Sequence, residues 1–221
     1  MLLLTAFLVA FTPGERLDYD VRYGPLCLGR LSLSTLAPDT VRGESCYHFR
    51  AVLQARLSFL FSARYDIDAW CRVSDMVTLR SAKKTRESRY RAEWTADYDY
   101  GAGRVVYSDG DTLALAGPAH DVLTLWYLVR RPGFGPGDTL PVYCHSDRRD
   151  YHVALVGVRE TEVGVPAGRF RCLEVVPTPG SPLGAVFLAR GDASVPAVIR
   201  TSVGGVQVSA ELVGTAQEEE E

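Results

Sequence analysis

The side chains with the greatest chemical potential in this 221-residue chain are four histidines, His48, His120, His145 and His152, and five cysteines, Cys27, Cys46, Cys71, Cys144 and Cys172. A structural zinc site takes such ligands in short, repeated spacings. None of these cysteines forms a CxxC pair, and the nearest approach to a mixed set, His145 and His152 with Cys144 and Cys172, lacks that spacing. No metal site is expected. Nucleophilic catalysis needs a serine or thiol on a sharp exposed turn with a base in reach. The sequence contains no GxSxG, and nothing in it selects a particular Cys–His or Ser–His pair. No catalytic residue is assigned.

Three acid pairs, Asp66/Asp68, Asp97/Asp99 and Asp109/Asp111, have the i, i+2 spacing that puts both carboxylates on one face of a strand, as two catalytic or metal-binding acids would require. The same alternation describes the wet side of a sheet. Asp109-Gly110-Asp111 is a turn without the further acids of a calcium loop. No glycine-rich loop joins a strand to a helix as a phosphate cradle would, so no nucleotide and no other cofactor is expected. What remains is an aromatic stripe, Tyr90, Trp94, Tyr98 and Tyr100, on one face of the most regular strand pattern in the chain. Such a face can line a pocket for an apolar ligand, or pack as core against Trp126 and Tyr127. Tyr90, Trp94, Tyr98, Trp126 and Tyr127 are the candidate ligand-binding residues.

These residues need elements to hold them. Asp121–Arg131, DVLTLWYLVRR, reads as a buried helix: Val122, Leu125, Trp126 and Val129 repeat at helical spacing, Asp121 can cap it, and Pro132-Gly133 stops it. Arg130 and Arg131 are placed to complement its dipole. Nearly everything else alternates with the period of strands, from Leu17–Tyr23 to a closing hairpin in which Gly204-Gly205 pairs Val203 with Val206, Thr201 with Val208 and Ile199 with Ala210. Leu57–Phe61 is too short and too apolar to assign. The pattern predicts a mainly β fold, a curled antiparallel sheet or open β-barrel of ten to twelve strands around one buried helix.

Composition is that of an ordinary folded domain, with 47% hydrophobic and 23% charged residues, and a net charge of −3 gives no reason to expect nucleic acid as a partner. The local basic run Lys83, Lys84, Arg86, Arg89 and Arg91, broken by Glu87 and Glu93, reads as the solvated side of a strand. The first eleven residues, MLLLTAFLVAF, resemble the apolar part of a secretory signal, although no Lys or Arg precedes them. The expected organisation is a signal-like segment over 1–13, a single β-rich domain over 14–214, and a disordered acidic tail over 215–221. Export would permit one or two disulfides, and the default for the cysteines is as small buried hydrophobes.

Four landmarks occur in order: GERLDYDVRYG (Gly14–Gly24), DVLTLWYLVR (Asp121–Arg130), VPAGRFRCLEV (Val165–Val175) and GDASVPAVIR (Gly191–Arg200). Together they resemble a family of exported bacterial proteins called domain of unknown function 3108. The chain departs from it where the family's helix motif carries a proline and a serine, here Val122 and Thr124, and where the family has paired acids near the end, of which Asp192 alone is kept. The resemblance implies export to the periplasm or cell exterior and an antiparallel β fold; it brings no chemistry, because the family has no established activity. The leading expectation is a non-enzymatic envelope protein binding an apolar or amphipathic ligand, such as a lipid, on the concave side of its sheet. The alternatives are an assembly module that pairs a sheet edge with an envelope protein partner, and a hydrolase with an unrecognised Cys/Ser–His site.

Overall fold

A computed structural model describes residues 11–56, 62–191, 194–203 and 206–217. Fourteen strands form one antiparallel sheet. They are β1 (Glu15–Tyr23), β2 (Leu26–Val41), β3 (Glu44–Arg56), β4 (Ser62–Arg72), β5 (Thr78–Glu87), β6 (Tyr90–Asp99), β7 (Arg104–Tyr107), β8 (Thr112–Ala114), β9 (Thr139–Ser146), β10 (Arg149–Val165), β11 (Gly168–Pro177), β12 (Val186–Ala189), β13 (Pro196–Val203) and β14 (Val206–Gln217). Helix α1 (Val122–Leu128) interrupts them between β8 and β9. The spatial order is β8-β7-β6-β5-β4-β3-β2-β1-β14-β13-β12-β11-β10-β9, so strands consecutive in sequence pair with one another except β8 and β9, which form the two edges, and the first strand pairs with the last.

Fourteen strands stand where ten to twelve were expected, with pieces as short as β8 pairing as strands of their own, and β5 runs on to Glu87 through the basic stretch. The last hairpin has the register its sequence predicts, Val203 opposite Val206, Thr201 opposite Val208 and Ile199 opposite Ala210. The disordered tail does not begin at 215: Thr215, Ala216 and Gln217 pair with Leu17, Arg16 and Glu15. Residues 218–221, most of the apolar block at 1–10, the 57–61 segment and Asp192 lie outside the described residues.

Period-2 alternation sorts the sheet into two faces. One row of direct cross-strand partners runs Leu17–Leu33–Ala51–Ile67–Lys83–Trp94, and the next runs Leu212–Tyr19–Leu31–Leu53–Tyr65–Thr85. This is the inner face, and α1 lies on it against β3, β4 and β9. Tyr127 stacks on Phe49 with ring centroids 3.6 Å apart and planes 7° from parallel. Phe11, the last residue of the signal-like block, is buried edge-on against Tyr47, Phe49 and Tyr127. The domain core therefore begins before residue 14.

Asp121 caps the helix as its sequence predicts: Oδ1 accepts from the backbone N–H of Leu123 at 2.7 Å and of Thr124 at 3.0 Å, while Oδ2 accepts from the hydroxyls of Thr78 and Thr124. The helix is shorter than Asp121–Arg131. It ends in tighter bonds, Arg130 N to Tyr127 O and Arg131 N to Leu128 O. Arg130 leaves the helix axis to bind Glu15 on β1, bidentately, so it serves a strand rather than the dipole.

The two ends of the sheet are brought together beside α1. His120 makes a parallel bridge to Cys144: its N–H donates to Tyr143 O at 2.9 Å and its carbonyl accepts from His145 N at 3.0 Å. One residue earlier, Ala119 O accepts from Thr78 N at the start of β5. A two-residue segment thus links edge strand β9 to β5 and gives the open sheet its barrel-like form.

Candidate functional site

The closure holds the most concentrated group of titratable side chains. His145 is buried on β9, its Nδ1 2.6 Å from Asp150 Oδ1 and its Nε2 2.8 Å from the Tyr107 hydroxyl. Asp150 fixes the tautomer, so Nε2 accepts the Tyr107 proton. The same hydroxyl accepts from Arg148 N at 3.2 Å, and the Arg148 guanidinium lies 4.2 Å over the Tyr107 ring while gripping Asp109 and Asp111. Burial pushes the Tyr107 phenol up to about 12. A carboxylate–imidazole–hydroxyl chain of this kind has the order of a catalytic relay. Here its terminal hydroxyl is sealed between β7 and the β9–β10 turn, is difficult to ionise and has both hydrogen-bonding roles filled. It works as a clasp across the closed sheet, with Tyr98 donating to His145 O at 3.2 Å and Lys83 bound to Asp147 at 2.8 Å on either side.

The other histidines are also committed. His120 Nδ1 is 2.8 Å from Met76 O, His48 Nε2 is 2.8 Å from Asp68 Oδ1 with its ring stacked on Trp70, and the His152 ring lies against Tyr143. All five cysteines are free, Cys27 exposed and the others buried. Burial raises the thiols of Cys46, Cys71 and Cys144, and that of Cys172 to about 11, which removes the thiolate that nucleophilic chemistry needs. Among the described residues, no three His, Cys, Asp or Glu side chains are grouped so as to hold a metal ion.

The aromatic candidates do not line one pocket. Tyr98 is buried with Ala96, Val105 and Tyr107, and Tyr127 is buried under Phe11 and Phe49. Trp126 borders a cavity of about 10 Å³ between α1 and β10–β12, room for a single water at most. The interior beside α1 is filled by its own side chains. Trp94 is partly buried with its ring edge-on to Tyr107, and Tyr90 is exposed at the start of β6. The five residues are therefore spread over two clusters and the surface.

The accessible troughs lie on the opposite, outer face. There Asp66 binds Arg64, Asp68 binds Arg50 and His48, and Asp97 binds Arg80, while Asp109 and Asp111, between β7 and β8, bind Arg148 at the closure. The Arg64 bonds hold Asp66 below the usual carboxylate range. Burial alone would raise Asp68, but His48 and Arg50 bring it below that range as well.

At one end of this face the balance fails. Direct cross-strand partners run Arg30–Gln54–Arg64–Arg86–Arg91 across β2 to β6. Like charges directly opposite one another destabilise a sheet. Arg64 has Asp66, and among the described residues Arg91 donates only to the carbonyls of Ser88 and Tyr90. Arg30, Arg86 and Arg56, two residues beyond Gln54 in the same trough, make no hydrogen bond or ion pair among the described residues. The trough has a volume of about 550 Å³, and Leu28 is among its lining residues. A second trough of about 570 Å³ continues it past Arg30 and Gln54 toward β1. Gly29 makes the close approach of β2 to β3 here: a Cβ at this position would sit 2.0 Å from the Gln54 carbonyl oxygen. The basic run, read from the sequence as the solvated side of a strand, contributes Arg86 and Arg91 to this row, and the register across five strands assembles it.

The fold and its charged outer face define a barrel-like antiparallel β domain with an arginine-lined trough and a filled interior. The chain belongs to the family described as protein of unknown function, DUF3108, whose model matches residues 18–211. Its shape is similar to that of a β-barrel-like protein of domain of unknown function DUF1849 from Brucella abortus, at 12% identity and a TM-score of 0.65, over 95% of this chain and 100% of that one. A DUF1089 family protein from Pseudomonas aeruginosa matches at 11% identity and a TM-score of 0.47, over 89% of this chain and 95% of that one. No curated protein matches the chain. At these identities the likeness is one of fold.

Proposed function

We propose that this is an exported envelope protein that binds, without catalysis, an amphipathic ligand with an anionic head, and that the outer-face trough is its site. The observation that carries the reading is the row in which Arg64, Arg86 and Arg91 are direct partners and Arg30 joins them across Gln54, with too few acids among the described residues to neutralise them. A guanidinium pair presents the fork geometry that grips a phosphate or carboxylate. Leu28, among the lining residues, offers apolar surface to the uncharged part of such a molecule. Export is supported by the apolar leader-like block and the family's character. The amphipathic ligand expected from the sequence keeps its chemistry and changes its face, because the aromatic concave side is occupied by α1.

The test is titration with dihexanoyl phosphatidic acid, a short-chain lipid that stays monomeric in water, followed by native mass spectrometry and calorimetry. A one-to-one complex that Arg86→Ala weakens at least fivefold supports the reading. Absence of binding, or binding indifferent to Arg64→Ala and Arg86→Ala, rejects it.

A sheet-edge assembly role finds less support. β8 has three residues, and β9 is covered by His120 at residues 143–145 and carries Pro141.

A further inference from the structure

The arginine row lies at one end of the sheet, and the apolar surface is concentrated there as well. Antiparallel pairing brings the end of β1, the start of β2, the end of β5 and the start of β6 to the same rim. Of the five large hydrophobic residues exposed among the described residues, three sit on this rim: Tyr23 at 49%, Leu26 at 59% and Tyr90 at 60%. Tyr23 and Leu26 are partners flanking the Gly24-Pro25 turn, and Tyr90 adjoins Arg91 just past the Ser88-Arg89 turn. No packing reason within the domain exposes them. Arg89, in the same turn, adds a further cation without a hydrogen bond or ion pair among the described residues.

Aromatic and aliphatic side chains at hairpin tips, backed by guanidinium groups, are what a bilayer interface accepts. Tyr suits the headgroup level, Leu the acyl boundary, and arginines the phosphates between them. We infer that this rim docks on an anionic lipid surface, with Tyr23, Leu26 and Tyr90 entering the interface while Arg86 and Arg91 hold lipid phosphates. The inference rests on the anion-binding reading of the trough and names its source: lipid presented by a membrane rather than a free anion or an acidic protein. Charge complementarity selects this occupant. An acidic protein would answer the arginines alone, whereas the three apolar tips beside them have no counterpart in a soluble polyanion.

The experiment is flotation of the full chain with vesicles of phosphatidylcholine containing one-third phosphatidylglycerol, against pure phosphatidylcholine vesicles, with soluble polyphosphate and polyglutamate titrated in parallel. The protein is expected to float with the anionic vesicles and remain behind with the neutral ones. Arg86→Ala with Arg91→Ala should lower vesicle partitioning about twenty-fivefold, at roughly fivefold per cation. Tyr23→Ser with Leu26→Ser and Tyr90→Ser should weaken vesicle binding and leave polyphosphate binding unchanged. The altered positions are largely exposed, and unchanged thermal melts verify folding. Binding of polyphosphate without vesicles overturns the membrane inference and leaves the anion-binding reading standing. Binding of polyglutamate in preference to vesicles overturns it in favour of an acidic protein. Binding of neither anion nor vesicle overturns both.

Discussion

The Arg130 guanidinium meets the Glu15 carboxylate in two parallel bonds, Nη1 to Oε2 at 2.7 Å and Nη2 to Oε1 at 2.6 Å, and its Nε donates to Ser194 O at 2.7 Å. With the side chains only 7% and 17% exposed, this pair ties the end of α1 to the first strand. Removing one partner of a buried pair leaves an unmatched charge, at a cost of about 3–5 kcal/mol, whereas replacing both by apolar groups is often neutral. Glu15→Leu alone is expected to lower the urea midpoint sharply, and Glu15→Leu with Arg130→Met to recover most of the loss. Equal losses in the single and double variants would show that the pair itself, not the orphaned charge, carries the stability.

His120 gives the fold a dependence on pH. Burial lowers its pKa, although the Met76 carbonyl and the nearby Asp121 and Asp75 oppose the shift. The native state therefore keeps the ring neutral while the unfolded chain takes up a proton below about pH 6.5. Stability contributed by His120 is complete above that pH and falls as the pH drops toward the folded-state value. His120→Asn keeps a donor for Met76 O and does not titrate. Its unfolding free energy should change less between pH 7 and pH 5.5 than that of the parent, and identical slopes would remove His120 as the cause.

Phe11 tests where the domain begins. Its ring is buried against Tyr47, Phe49 and Tyr127, with Arg130 5.2 Å above it. Truncating a buried Phe to Ala costs about 3–5 kcal/mol. Phe11→Ala should show a loss of that order in thermal or chemical denaturation, and a variant as stable as its parent would mean the ring is dispensable to the core.

The clasp at His145 is structural in this account, so its loss should register in stability. Tyr107→Phe leaves Nε2 of a buried imidazole without its donor, at a cost of about 1–3 kcal/mol. Differential scanning calorimetry would show a lowered Tm. The outcome that contradicts a clasp is an unchanged melt.

What the sequence made legible was what is local. The helix, its Asp121 cap, the register of the final hairpin and the alternation of Tyr90–Tyr100 all follow from residues a few positions apart. The same strand pattern assigned an inner face to Trp94 and Tyr98 correctly, but periodicity cannot say how far an inner face is filled, and α1 with Phe11 fills it. The His145–Tyr107 contact and the arginine row join residues that meet only through strand pairing and closure. Their chemistry was present in the sequence as an isolated histidine and a broken basic run; their adjacency was not.

The arginine row makes a prediction in which stability and binding move in opposite directions. Arg86 stands between Arg64 and Arg91, its direct partners on β4 and β6, and makes no ion pair among the described residues. Repulsion between opposed like charges in a sheet is worth about 0.2–1 kcal/mol, and an exposed substitution adds no cavity. Arg86→Gln should therefore raise the denaturation midpoint at low ionic strength, with the gain shrinking as salt screens the neighbours. The same variant should bind the short-chain anionic lipid less tightly, since it removes a guanidinium from the centre of the row. A sheet that keeps three arginines in register against its own stability is then using them on something else. If Arg86→Gln destabilises the protein and leaves lipid binding intact, the row is a structural feature and its charge has no ligand to answer it.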